Sequence, residues 1–240
     1  MNGKTCFLQE ERWQQVIQAA IHNDPLVPPD QAHLVISLWA RLGKGPNLFK
    51  ETENFVLFPM LAPLDAREEL IARLVKEQER LQTWLAMAEQ YWYGPDYGNW
   101  QGLAVGAVTL LRDYKDKASA GEQMTWRILQ GTYILCCLVK MRILYALSPS
   151  QFPELEATCQ TLASEVMTAT ADTADYGNER LIGGLFTSEV VWMAKAVIET
   201  RESWSEGSGD TYPVLNRKDT GMIEKWKFKA WCKAIGRRVI

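Results

Sequence analysis

The sequence predicts an all-α protein, a single-domain bundle of seven or eight helices around one buried central helix. Three observations predict it. Residues 124–147 read as one long helix with no charge between Gly131 and Val139, and Ile128, Leu129, Ile134, Leu135, Leu138, Met141, Ile143 and Leu144 place apolar groups around its whole circumference. A helix that is apolar on every side must be enclosed. The segments on both sides repeat apolar residues with helical period, and no stretch alternates with period two for long enough to build a sheet. A membrane span needs about 20 predominantly apolar residues. Arg127, Lys140 and Arg142 interrupt the run before that, so a core helix is expected and no membrane span.

The elements follow in order. Residues 9–22 place Trp13, Val16, Ile17, Ala20 and Ile21 on one face, and Asp24-Pro25 with Pro28-Pro29 stops them. Asp30 stands as an N-cap for a second stripe, Leu34, Val35, Leu38, Trp39 and Leu42, which is expected to end at Gly43 and Gly45. Residues 54–62 are apolar but broken by Pro59 and closed by Pro63, which predicts an extended or single-turn segment. Asp65 and Glu68 open a long third helix with Leu70, Ile71, Leu74, Val75, Leu81, Trp84, Leu85 and Ala88 inward. Its far face, Arg67, Glu69, Arg73, Lys76, Glu77 and Arg80, reads as solvated.

After Gly94-Pro95 and Asn99, a fourth helix carries Leu103, Ala107, Leu110, Leu111 and Tyr114. Ser119 and Glu122 form a capping box for the central helix, and Ser148-Pro149 ends it. Pro153 fits the first turn of a helix with Leu155, Cys159, Leu162, Val166 and Met167 on one face. A helix over 180–204, a loop over 205–216 and a last helix from Thr220 complete the chain. A weak boundary near residues 94–100 is the one place where the domain could divide, but the helices on both sides are apolar enough to share a core.

The 240 residues support a sizeable core, and 47% hydrophobic with 23% charged residues is ordinary globular usage. The net charge of −3 argues against a dedicated nucleic-acid binder, and no nucleic-acid partner is expected. That average hides an asymmetry. Residues 217–240 hold eight Lys or Arg against Asp219 and Glu224, a balance of +6 that leaves −9 on the remainder. Cations there complement a helix C-terminus and the acidic remainder, or meet phosphates or an anionic membrane. Cys6, Cys136, Cys137, Cys159 and Cys232 are odd in number and set among apolar neighbours, which predicts reduced core thiols. With Glu10, Glu11 and Arg12 where a signal peptide needs an apolar core, a cytoplasmic location is expected.

Most enzyme classes leave no trace. With His22 and His33 as the only histidines there is no H-E-x-x-H, and C-x-x-C, G-x-x-x-x-G-K-[ST], G-x-G-x-x-G and G-x-S-x-G are also missing. No cofactor and no metal are expected. The aromatic excess is the positive signal: Tyr91, Trp92, Tyr93, Tyr97 and Trp100 crowd around Gly94-Pro95 and Gly98, in a chain with ten tryptophans. Such rings either plug a core or line a ligand pocket. The tetrapeptide Asp96-Tyr97-Gly98-Asn99 recurs as Asp175-Tyr176-Gly177-Asn178, which shared turn and cap chemistry explains. Glu189, between Leu185 and Trp192-Met193, is expected on the buried face of its helix, where a carboxyl either pairs with a cation or serves as an acid.

The 132–145 helix, the 152–167 helix with Cys159-Gln160-Thr161-Leu162-Ala163, residues 186–193 around Trp192, Arg201-Glu202-Ser203-Trp204 and the closing Gly236-Arg237-Arg238-Val239-Ile240 together carry a resemblance. Over residues 68–240 the chain resembles the C-terminal regulatory domain of fungal zinc-cluster transcription factors. The resemblance implies an all-helical fold. It does not carry that family's DNA-binding activity, because residues 1–65 do not supply its six-cysteine zinc cluster.

Two functions remain. One is a cofactor-independent cyclase or isomerase of fungal secondary metabolism, of Diels–Alder type, which folds an apolar polyketide or terpenoid in an aromatic pocket. Glu189, Tyr133 and Tyr145 are its candidate acids or hydrogen-bond donors, and Trp92, Tyr93, Tyr97, Trp100, Trp126, Tyr176 and Trp192 its candidate pocket lining. The other is a non-catalytic ligand-binding or regulatory module that acts through a partner, a homodimer among the forms expected. In either case the expected partner is a small apolar molecule.

Overall fold

The computed structural model describes residues 11–23, 32–59, 63–93, 120–172, 180–205 and 221–236. These residues form eight helices and, among them, no strand: α1 (Glu11–His22), α2 (Ala32–Leu57), α3 (Leu64–Tyr93), α4 (Ala120–Leu147), α5 (Leu155–Asp172), α6 (Arg180–Glu199), α7 (Arg201–Ser205) and α8 (Lys225–Ala234). The expected fourth helix over 100–114, the caps Asp30 and Ser119 and the expected loop beyond Ser205 lie outside the described residues.

Helix α4 is the axis, packed against α2, α3, α5 and α6. From Trp126 to Leu147 its buried residues come from every side, among them Leu129, Tyr133, Ile134, Leu138, Met141, Ile143 and Ala146. Residues Thr125–Leu147 are long and apolar enough to cross a membrane, yet 78% of that stretch is buried inside the bundle. Side chains from α2 to α8 join α4 in one hydrophobic cluster.

Helix α2 departs from expectation. It runs through Gly43, Gly45 and Pro46 to Leu57 instead of ending near Leu42, and the segment expected to be extended from residue 54 is its last turn. Two glycines cost about 1 kcal/mol each and an interior proline about 3. Beyond them the helix buries Leu48, Phe49, Val56 and Leu57, and each such side chain contributes about 1.5–3 kcal/mol. Burial outweighs the breakers. Conversely, α1 has the apolar stripe expected of it but buries no residue, and Trp13 and Val16 stay exposed.

The segment expected as one helix over 180–204 is two, α6 and α7, divided at Thr200. Helix α8 runs from Lys225 to Ala234 and is followed, after Ile235, by Gly236, whose φ of +65° favours glycine. Its amide donates to the Lys233 carbonyl, and a Cβ there would come within 3.0 Å of the Trp192 ring.

Glu77, expected on the solvated face of α3, is buried. Arg41 Nη1 and Lys44 Nζ from α2 each lie 3.2 Å from its carboxylate, and Arg80 also donates to it. Burial pushes its pKa up, but Arg80, Lys44 and Lys140 outweigh burial and hold it below the ordinary value. Lys140, 3% exposed, is less well served: its Nζ stands 4.0 Å from Glu77 Oε2 with no hydrogen bond. Burial lowers its pKa. The folded state therefore holds the Lys140 proton less tightly than the unfolded chain does. The stability linked to it is present above the unfolded value and is lost as pH falls through the folded one. Lys140→Met should raise stability by about 1–3 kcal/mol at neutral pH, the cost of a buried group without a hydrogen bond, because Glu77 keeps Arg41, Lys44 and Arg80. Urea denaturation between neutral and alkaline pH checks this, and the variant should also lose part of the wild-type rise.

Candidate functional site

The aromatic side chains of the described core are occupied with one another. Trp84 is fully buried, donates from Nε1 to the Leu34 carbonyl at 2.9 Å and stacks on Tyr133 at 5.8 Å. A second group joins four helices: Tyr145 stacks on Trp204 at 5.9 Å, Trp204 meets Trp231 edge-on at 5.7 Å, and Phe49 lies 5.2 Å from Trp231 and 5.6 Å from Phe228. Trp204 Nε1 donates to the Lys227 carbonyl at 3.1 Å.

The candidate acids are not brought together. Tyr133 and Tyr145 share α4, but twelve residues separate them by about 18 Å along the axis. Tyr133 is buried under Trp84, where burial and then the neighbouring Cys137 push its pKa far up. Glu189, expected on the buried face of its helix, is instead exposed on α6. The apolar period of α6 places Val190, Met193, Ala194 and Val197 inward, which turns position 189 to solvent.

Among the candidate lining residues, Trp126 is fully buried and Trp192 is 45% exposed. Tyr97, Trp100 and Tyr176 lie outside the described residues, as do the side chains of Trp92 and Tyr93. Cys136, Cys137, Cys159 and Cys232 are buried, the first three as free thiols. Burial pushes the pKa of Cys136 up to about 11 and those of Cys137 and Cys159 up to about 12, so these three remain thiols. Among the described residues no group of His, Cys, Asp or Glu is placed to hold a metal.

One groove gathers polar chemistry. It has a volume of about 680 Å3 and runs along α5 beside Arg201, with Tyr145, Pro153 and Ala157 as its less polar wall and Glu156, Gln160, Thr161 and Ser164 as its polar one. Most of these side chains are exposed, so the groove is open. Tyr145 and Gln160 are half-buried, and Glu156 is the most enclosed at 8% exposure.

Behind Glu156 lies Arg142, fully buried. Its Nη2 donates to Glu156 Oε1 at 3.0 Å and to the Val197 carbonyl at 2.9 Å, and its Nη1 to Thr200 Oγ1 at 3.3 Å. The guanidinium also sits 4.0 Å above the Trp204 ring. Gln160 Nε2 repeats the pattern from the groove side, with Glu156 Oε1 at 2.7 Å and the Val197 carbonyl at 3.0 Å. The last turn of α6 has carbonyls with no helical partner, and a cation at that end also suits the helix dipole. Burial pushes the Glu156 pKa up, against the opposing pull of Arg142, Gln160 and Arg201. Tyr145 is also raised, by burial and then by Glu156.

Sequence reading passed over this pair, although a signal was present. Arg142 interrupts an apolar run, and Glu156 stands one helical turn before Cys159 on the stripe read as inward. Two opposite charges on two buried faces point to each other. Comparison with protein-family models, curated proteins and solved structures finds no match for this chain.

Proposed function

We propose that this chain is a non-catalytic helical module that binds a small molecule in the α5 groove and passes its occupancy to the α6–α7 junction. One observation carries the reading: Glu156 lines the groove, and its partner Arg142 holds the end of α6 at Val197 and Thr200. A ligand that draws on Glu156 or Gln160 acts on the hydrogen bonds that fix this junction. Differential contact with two arrangements of one element is what a ligand needs to shift their populations. The polar wall favours a molecule with hydrogen-bonding groups and one apolar side for Tyr145, Pro153 and Ala157, a more polar ligand than the sequence suggested.

A screen of small amides, alcohols and carboxylates by thermal shift tests this. A binder should raise the melting temperature of the wild type and not that of Ala157→Trp, which fills the groove from an exposed position. Equal shifts in both proteins would remove the groove from the reading.

The cofactor-independent cyclase is the second reading. It is favoured by Tyr145 and Glu156 facing the same groove, both held toward their protonated forms. For that reading, Tyr145→Phe should keep ligand binding and lose turnover.

A further inference from the structure

Among the described residues, those of the basic C-terminal region do not line the groove, and they form a continuous surface. At 100° per residue, Lys225, Lys229 and Lys233 of α8 fall within an arc of about 80°, with Trp226 about 20° beyond it. Phe228, Trp231 and Cys232 are buried against the core, so the lysine arc is the outer one. Lys225 and Lys233 are exposed and Lys229 is partly so. Among the described residues none of the three is in an ion pair.

Aromatic rings flank this row. Phe58, just past the end of α2, lies 5.3 Å from Lys225 Nζ. Trp226 lies beside the lysines and donates from its indole to Glu224. Trp192 closes the other end, packed on Gly236. All three rings are 45–46% exposed, unlike the tryptophans of the core. Arg237 and Arg238 follow in sequence, and the chain outside residues 217–240 carries −9 against their +6.

We propose that the outer face of α8, with Phe58, Trp192 and Trp226 around it, docks on an anionic phospholipid bilayer. Charge complementarity selects the partner. Clusters of about 4–8 Lys or Arg bind anionic lipid, each cation adding to the attraction within a Debye length of the surface. Half-exposed tryptophans settle at the headgroup boundary, where an apolar body and an indole N–H are both accommodated, and a phenylalanine beside them inserts as an apolar group. The acidic remainder is repelled from the same surface, so the charge asymmetry orients the molecule with α8 toward the lipid. A nucleic acid fits less well. A recognition helix must enter a groove about 12 Å wide, and here rings from α2 and α6 stand at both ends of α8.

Co-sedimentation with vesicles decides it. The full chain should bind phosphatidylcholine vesicles containing about 40 mol% phosphatidylserine in low salt, and release in about 0.5 M salt. It should not bind pure phosphatidylcholine. The triple variant Lys225→Gln, Lys229→Gln, Lys233→Gln should lose at least about tenfold in partitioning, with an unchanged melting temperature because its side chains lie on the surface. Trp226→Ala should weaken binding while keeping its salt dependence. No binding to the phosphatidylserine vesicles, or equal binding by the triple variant, overturns the proposal. So does a short DNA duplex that binds the protein more tightly than the vesicles at equal phosphate concentration.

Discussion

Arg142→Met should lower the stability of the chain by about 3–5 kcal/mol, the cost of removing one member of a buried ion pair. The substitution leaves Glu156 buried with the Gln160 hydrogen bond and the charge of Arg201, and deprives Val197 and Thr200 of the cation that closes α6. It also removes the guanidinium from the face of Trp204. Methionine retains much of the volume, so the loss reports the charge and its hydrogen bonds more than a cavity.

Two further measurements separate these causes. Replacing both charges, Arg142→Met with Glu156→Met, should recover most of the loss, because an apolar pair of similar volume is often neutral or stabilising in place of a buried ion pair. The pH dependence has a definite sign. Burial raises the Glu156 pKa in the folded state, so the stability linked to it is fully present below the unfolded value and is lost as pH rises through the folded value. Without Arg142 the carboxyl rises further. The deficit of the single variant should therefore shrink as the solution is acidified toward the range where Glu156 takes up its proton. Urea denaturation of the three proteins across that range is the measurement. A single variant within about 1 kcal/mol of the wild type would mean that the junction is held by other contacts.

Trp84→Ala should cost about 3–5 kcal/mol, as truncation of a fully buried tryptophan does when its surroundings relax only in part. Trp84 is reached from two helices: it stacks on Tyr133 of α4 and donates to the Leu34 carbonyl of α2. Trp84→Phe keeps a six-membered ring over Tyr133 but removes the pyrrole half of the indole with its N–H, so it should cost less, about 2–3 kcal/mol. Ser37 Oγ also donates to the Leu34 carbonyl, at 3.0 Å, which limits that loss. Trp226→Ala, on the exposed arc of α8, should stay within about 0.5 kcal/mol of the wild type. The comparison is made by urea midpoints at constant slope. Equal losses at positions 84 and 226 would contradict the division of tryptophans into those that build the core and those that face outward.

That division also explains how the aromatic excess was read. In sequence, ten tryptophans suggest a pocket, because indole suits both a core and a ligand. In the described structure Trp84, Trp126, Trp204 and Trp231 are fully buried, and Trp84, Trp204 and Trp231 pack on other rings. Composition records how much aromatic surface there is. It does not record which ring faces which.

The sequence by itself determined the helical class, the enclosed central helix and the inward stripes of α3 and α5, because each rests on a pattern that one helix carries within itself. Tertiary structure decided the rest. It carried α2 past Gly43, Gly45 and Pro46, left Trp13 and Val16 of α1 exposed, divided α6 from α7 at Thr200 and drew Glu77 into the interior. It also turned Glu189 outward and set Arg142 against Glu156. A local pattern fixes what one element prefers alone. Whether a breaker is overridden, or a charge is buried, depends on partners more than ten residues away and on the free energy of enclosing both together.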